Sequence, residues 1–288
     1  MKRVWKKGLL ALTVTSSLAL AACGAQSSAP AVQNPASQPN TTATRDQSTQ
    51  GTNTSAQHVY LVVEPGAKLG SDHVKHDAFI NGDFTVVAGK PVDLTVYNYE
   101  QTPLTMKAAD LGLNVNIKAS TTKGDPAVTN YSFIPQSPGT YTWVASGDRD
   151  QWAAKQKGFL QGTVTVTPPS DNTQHISLVI NPNYKLGPDG KLHDAYTPGD
   201  ITVKAGQPVE LTIYNLGKKG HPFISSALGV NVPVQGSQGT GEPAVFKTTF
   251  TPQKPGKYTW VCGLPCDGEN NQWAMSHDNY MMGYITVQ

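Results

Sequence analysis

The chain repeats itself. Residues 58–145 align with residues 175–262 at an offset of 117, without a gap. A duplication of this length constrains the fold more than any short motif can. Lys68-Leu69-Gly70 meets Lys185-Leu186-Gly187, and His76-Asp77-Ala78-Phe79 meets His193-Asp194-Ala195-Tyr196. Ala88-Gly89-Lys90-Pro91-Val92 meets Ala205-Gly206-Gln207-Pro208-Val209, and Pro138-Gly139-Thr140-Tyr141-Thr142-Trp143 meets Pro255-Gly256-Lys257-Tyr258-Thr259-Trp260. Whatever one copy folds into, the other must be able to fold into as well.

Each copy has roughly 110 residues, the size of one ordinary domain. The first spans 58–166 and the second 175–288, with 167–174 (Thr-Pro-Pro-Ser-Asp-Asn-Thr-Gln) as the linker. In the second copy, short apolar or alternating runs lie at 176–180, 201–204, 209–214, 245–251, 257–261 and 284–287. Gly and Pro turns separate them, and no long segment has the helical period of 3.6. Many short strands with regularly spaced turns predict an all-β protein of two β-sandwiches in tandem.

The segment before the repeat is of another kind. Lys2, Arg3, Lys6 and Lys7 precede an apolar run, Gly8 to Ala22, too short for a stable membrane span. It ends in Leu20-Ala21-Ala22-Cys23, which resembles the signal sequence of bacterial lipoproteins. That resemblance implies removal of residues 1–22, a lipidated Cys23, and a mature protein held to the cell membrane outside the cytoplasm. Cleavage removes four Lys/Arg and no acid, taking the formal charge from +2 to −2. Such a chain offers no electrostatic footprint for nucleic acid. Residues 23–57 hold the lipid-bearing cysteine and then little but Ser, Thr, Asn, Gln, Ala and Pro. They predict a disordered tether with a reach on the order of 30 Å.

The two copies serve as an internal control for function. Residues the fold needs recur in both, whereas residues a metal needs appear only where the metal sits. His221 meets Leu104, and Cys262 meets Ala145. After Cys262 the second copy is four residues longer, since Gly283 pairs with Gly162. At that offset His277 meets Gln156, Met281 meets Leu160 and Met282 meets Gln161, while Cys266 has no cysteine opposite it. Every soft ligand candidate thus belongs to the second copy alone. Thiolates, an imidazole and thioethers suit copper better than Zn, Mg or Ca. Trp273 has Trp152 as its twin, and His58/His175 and His76/His193 are paired, which favours structural or surface roles.

A strand ending in Tyr-Asn, the Ala-Gly-x-Pro-Val turn before it, and the strand Pro255 to Cys262 together resemble the cupredoxins. The likeness covers nearly all of 58–288. It implies Greek-key β-sandwiches, the first without metal and the second holding copper. The second copy also resembles the copper-A domain of cytochrome c oxidase subunit II, in its Cys262-x3-Cys266 spacing and in His221-Pro222-Phe223 followed by Leu228-Gly229-Val230. That likeness implies two copper ions bridged by Cys262 and Cys266, with His221 and His277 binding one each. Met281 or Met282 would be a weak axial ligand and the Leu264 carbonyl another. The chain departs from the family in the ten residues between Cys266 and His277. A mononuclear blue-copper site of His221, Cys262, His277 and Met282 stays open, as does a copper-holding role. So does a metal-free lipoprotein stapled by a Cys262–Cys266 disulfide. No phosphate loop, nucleophile elbow or His-Glu-x-x-His occurs. The expectation is therefore a single-electron carrier and not an enzyme, exchanging electrons with a redox protein such as a cytochrome or terminal oxidase.

Overall fold

The structure is a computed structural model that describes residues 56–147, 150–239 and 241–288. The signal sequence, Cys23 and the tether up to residue 55 lie outside the described residues. The first copy contains β1 (Gln57–Leu69), β2 (Lys75–Phe79), β3 (Phe84–Val87), β4 (Val92–Asn98), β5 (Leu104–Ala108), β6 (Leu113–Ile117), β7 (Ala127–Phe133), β8 (Gly139–Ser146) and β9 (Gln161–Thr167). The second contains β10 (Gln174–Leu186), β11 (Leu192–Thr197), β12 (Ile201–Val203), β13 (Val209–Asn215), β14 (Phe223–Ser225), β15 (Val230–Val232), β16 (Ala244–Phe250), β17 (Gly256–Cys262) and β18 (Met282–Val287). Among the described residues the only helical turns are short 3-10 pieces, and none could cross a membrane.

Each copy forms two sheets, and the two copies have the same topology. The first has a four-stranded sheet β2-β1-β4-β7 over a five-stranded sheet β3-β9-β8-β5-β6. The second has β11-β10-β13-β16 over β12-β18-β17-β14-β15. β1 pairs parallel with β4, and β10 parallel with β13, while hairpin neighbours run antiparallel. These are two tandem cupredoxin-like β-sandwiches. The strands alternate as half-buried strands must. In β4, Val92, Leu94 and Val96 face inward with Asp93, Thr95 and Tyr97 between them.

A tryptophan fills the centre of each sandwich. Trp143 and Trp260 are fully buried, and their Nε1 groups donate to the carbonyls of Gly82 and Gly199 at 2.9 and 2.8 Å. Gly162 lies against Trp143: a Cβ there would stand 2.6 Å from the indole. The glycine after the final loop is therefore required by packing in both copies.

The copies also pack on each other through β1 and β10. Val62 and Val179, equivalent in the repeat, share a buried cluster with Ala78, Ile80 and Tyr99. The Tyr99 hydroxyl lies 3.0 Å from Thr197 Oγ1, and the amide of Leu186 donates to the Gly124 carbonyl at 2.8 Å. Linking residues 168–173 therefore join two domains that bury a common surface.

Candidate metal centre

Two loops at one end of the second sandwich build the site. The first runs from the end of β13 to the start of β14 and carries His221. Asn215 closes it: its Nδ2 donates to the carbonyls of Lys219 and Gln235, and its Oδ1 accepts from the Gly217 amide. Asn98 holds the matching loop of the first domain in the same way, so this brace belongs to the fold. The His221 amide donates to the Val234 carbonyl. The Tyr196 hydroxyl donates to the His221 carbonyl. Phe79 occupies the position of Tyr196 in the first domain, so this bond exists only where the histidine does.

The second loop joins β17 to β18. Cys262 ends β17, is paired in register with Phe223, and donates its amide to the Met281 carbonyl at 2.8 Å. Phe223 stacks on Trp260 at 4.7 Å, which fixes the floor beneath both loops. Gly263 donates to the Pro222 carbonyl at 3.0 Å, tying the cysteine loop to the histidine loop.

These constraints bring His221, Cys262 and Cys266 together. One donor atom from each lies within 4.8 Å of the others, and all three residues are buried. His221 Nδ1 is 3.2 Å from Cys266 Sγ. The two sulfurs stand 2.17 Å apart, as a disulfide, on Cα atoms 7.0 Å apart. His221 Nε2 is buried and has no hydrogen-bond partner. Burial lowers the pKa of His221 and keeps its ring neutral, the state that ligates a metal. An unpartnered buried nitrogen next to two sulfurs is costly in a metal-free core. With the thiols reduced, this set fits a soft ion of the copper type.

The other sequence candidates are placed as follows. Met281 is fully buried in the core that contains both cysteines, whereas Met282 pairs with Val261 on the opposite, outward side of the strand. Leu264 is half exposed at the turn between the cysteines. His277 is outside the group. It stacks on Trp273 at 3.5 Å and donates from Nδ1 to the Trp273 carbonyl at 2.7 Å. The other face of Trp273 stacks on His193 at 4.1 Å. Met275 is half-buried against the same core.

The repeat also locates the four extra residues. Asp267 accepts from His193 Nδ1 at 2.7 Å, as Asp150 does from His76 Nδ1 at 2.7 Å. The two aspartates are thus equivalent at the offset of 117. Beyond them, Gln272 matches Gln151 at the longer offset. The insertion is therefore residues 268–271, which form a 3-10 turn at Gly268–Asn270. It lies after the cysteine pair and leaves their spacing unaltered. Asp267 is further held by Asn270, by the Ala274 amide and by its own amide bond to Asp194. Sequence reading missed Asp267 and Tyr196. The signal for Tyr196 was available: a Phe79-to-Tyr difference that accompanies Leu104-to-His.

The family comparison agrees with this fold. The chain matches the family model of the cupredoxin-like domain over residues 158–270. No curated protein matches its sequence significantly. Among solved structures it is similar to a blue copper oxidase from Nitrosomonas europaea, at 14% identity over 80% of this chain and 85% of that one, with a TM-score of 0.28. It is similar to a copper nitrite reductase from the same organism, at 13% identity over 81% and 94%, TM-score 0.31. It is also similar to the Cu(I)-bound metal-binding domain of the Streptococcus pneumoniae D39 Cu(I)-exporting P-type ATPase CopA, at 19% identity over 41% and 89%, TM-score 0.27. The expectation that the chain is not an enzyme is corrected here. The similar structures include copper enzymes, an oxidase and a nitrite reductase, and this fold does not separate a carrier from a catalyst.

Proposed function

We propose that the second domain holds copper through His221, Cys262 and Cys266 and moves single electrons through it. The observation that supports this most is the buried, unpartnered Nε2 of His221 beside two cysteine sulfurs, in a duplicated fold whose other copy has Leu104 and Ala145 at the equivalent positions. Copper bound there would supply a one-electron couple. The chain's own residues hold the histidine by its backbone, keep its ring neutral, fix both cysteines at the ends of a short turn, and exclude water with Phe223, Trp260 and Met281. We further propose that the chain is anchored through a lipidated Cys23 outside the cytoplasm. There it would exchange electrons with a redox protein such as a cytochrome or a terminal oxidase.

A dinuclear, copper-A-like centre needs a second imidazole. His277 would have to leave Trp273 to provide it, so a set built on His221 alone is the simpler reading. A second reading, a metal-free module stapled by a Cys262–Cys266 disulfide, is favoured by the bonded sulfurs. One experiment separates them: reduce the chain, add copper, and record metal content, visible absorption and electron paramagnetic resonance. One copper with a thiolate charge-transfer band supports the mononuclear set. Two coppers sharing one unpaired electron restore the dinuclear centre. A colourless chain without metal leaves the disulfide module.

A further inference from the structure

His221 is the one donor of the three that also lines a cleft. The cleft has a volume of about 170 Å³; its charged lining is Asp194, Asp267 and Glu269 against Lys218 and Lys219, with Gly268 and Asn183 beside them. Two of these, Gly268 and Glu269, belong to the four-residue insertion found only in the metal-competent domain. Asn183 reaches across to Glu269 at 3.4 Å, and the first domain has Gly66 in its place. The two features that set the second domain apart, its donors and its insertion, therefore meet at His221. Neither Cys262 nor Cys266 reaches the cleft, and both are buried. The fold itself does not require the insertion, because the first domain joins Asp150 directly to Gln151 within the same topology.

We propose that this cleft is the port through which copper is received and released, with His221 as the first protein ligand it meets and Glu269 as the exposed acid that tips the lining, otherwise two acids against Lys218 and Lys219, toward a cation. The inference rests on the copper reading above. It explains why the insertion lies beside the donors yet contributes none of them.

The test uses the full chain with its cysteines reduced, mixed anaerobically with cuprous ion as its acetonitrile complex. Uptake is followed by the ultraviolet thiolate-to-copper band. Two variants are compared with the parent. Glu269→Lys reverses the charge of an exposed residue. Gly268→Phe adds bulk at a position where a side chain would begin in open space. Glu269→Lys is expected to slow uptake by about tenfold at low ionic strength, with the gap closing as salt rises. Gly268→Phe is expected to slow uptake alike at low and high salt. Both are expected to end with the parent's copper content and spectrum. Parental rates in both variants would overturn the proposal. So would a changed final copper content or spectrum, since the cleft would then be part of the site and not the way into it. A reduced parent that takes up no copper at all would sink the copper reading itself, and the port with it.

Discussion

His193 Nδ1 lies 2.7 Å from Oδ2 of Asp267, the residue that follows Cys266. Its other nitrogen is 2.9 Å from Asp189. Burial opposes charge on this ring, but the two carboxylates outweigh it and hold the His193 pKa above the usual 6.5. A histidine raised in this way stabilises the fold fully below its unfolded value, and that contribution is lost as pH rises through the folded value. His193→Phe is expected to cost about 2 kcal/mol or more at pH 6, because it leaves the buried Asp267 uncompensated. The deficit should shrink above neutral pH. Denaturant unfolding at a series of pH values tests this, and a deficit that grows with pH would contradict it.

Glu64 and Asn181 are equivalent in the repeat and both are buried where β1 packs on β10. Glu64 Oε1 is buried without a hydrogen-bond partner, and the Asn181 amide beside the carboxyl offsets only part of the cost of burying it. Burial pushes the Glu64 pKa from 4.5 up to about 8. Its carboxyl is therefore held neutral in the folded chain. Stability from this group is complete below about pH 4.5 and declines as pH rises toward 8, by an amount on the order of a few kcal/mol. Glu64→Gln should flatten that decline. Thermal melts from pH 4.5 to 8.5 on both chains measure the difference.

Copper retention should separate the two histidines. His221→Ala removes a donor, so affinity should fall by more than the roughly 10–100-fold that losing an outer partner of a ligand costs. His277→Ala should leave copper content and spectrum as they were. Competition with a chelator of known affinity gives the first result, and metal analysis with absorption gives the second.

Tyr196→Phe asks whether the hydroxyl over the His221 carbonyl matters to the site. Phe79 shows that the ring alone fits this fold. The expected cost is about 1 kcal/mol in unfolding, with the same copper content and a weaker hold on it. An unchanged chelator competition curve would make that bond a matter of packing only.

Much of this architecture was legible in the sequence because the duplication gave each strand two readings. Val209 to Tyr214 and Lys257 to Val261 fall inside β13 and β17 for that reason. The short strands β14 and β15 were not legible. Three residues each give little period to read, and pairing is what makes them strands: β14 against β17, and β15 against β14. His221, Cys262 and Cys266 stood out as unmatched soft donors, and the fold puts them together. His277 stood out by the same test, yet it lies on Trp273, where its ring stacks and its Nδ1 bonds the Trp273 carbonyl; sequence pattern does not show which way a loop turns a histidine. Composition could not show that Asp267 would brace the cysteine loop, since a lone acid in a polar stretch has no local signature. That role depends on His193, 74 residues away.

Because the insertion falls after Asp267, the two copies keep one spacing across the donor positions. From Leu104 to Arg149 the first domain has the same number of residues as the second has from His221 to Cys266. In the sequence the donors fall opposite Leu104, Ala145 and Arg149. Three substitutions at an unchanged spacing therefore separate the two donor sets in the sequence, so writing Leu104→His, Ala145→Cys and Arg149→Cys into the first domain asks whether the shared scaffold alone suffices to gather a metal.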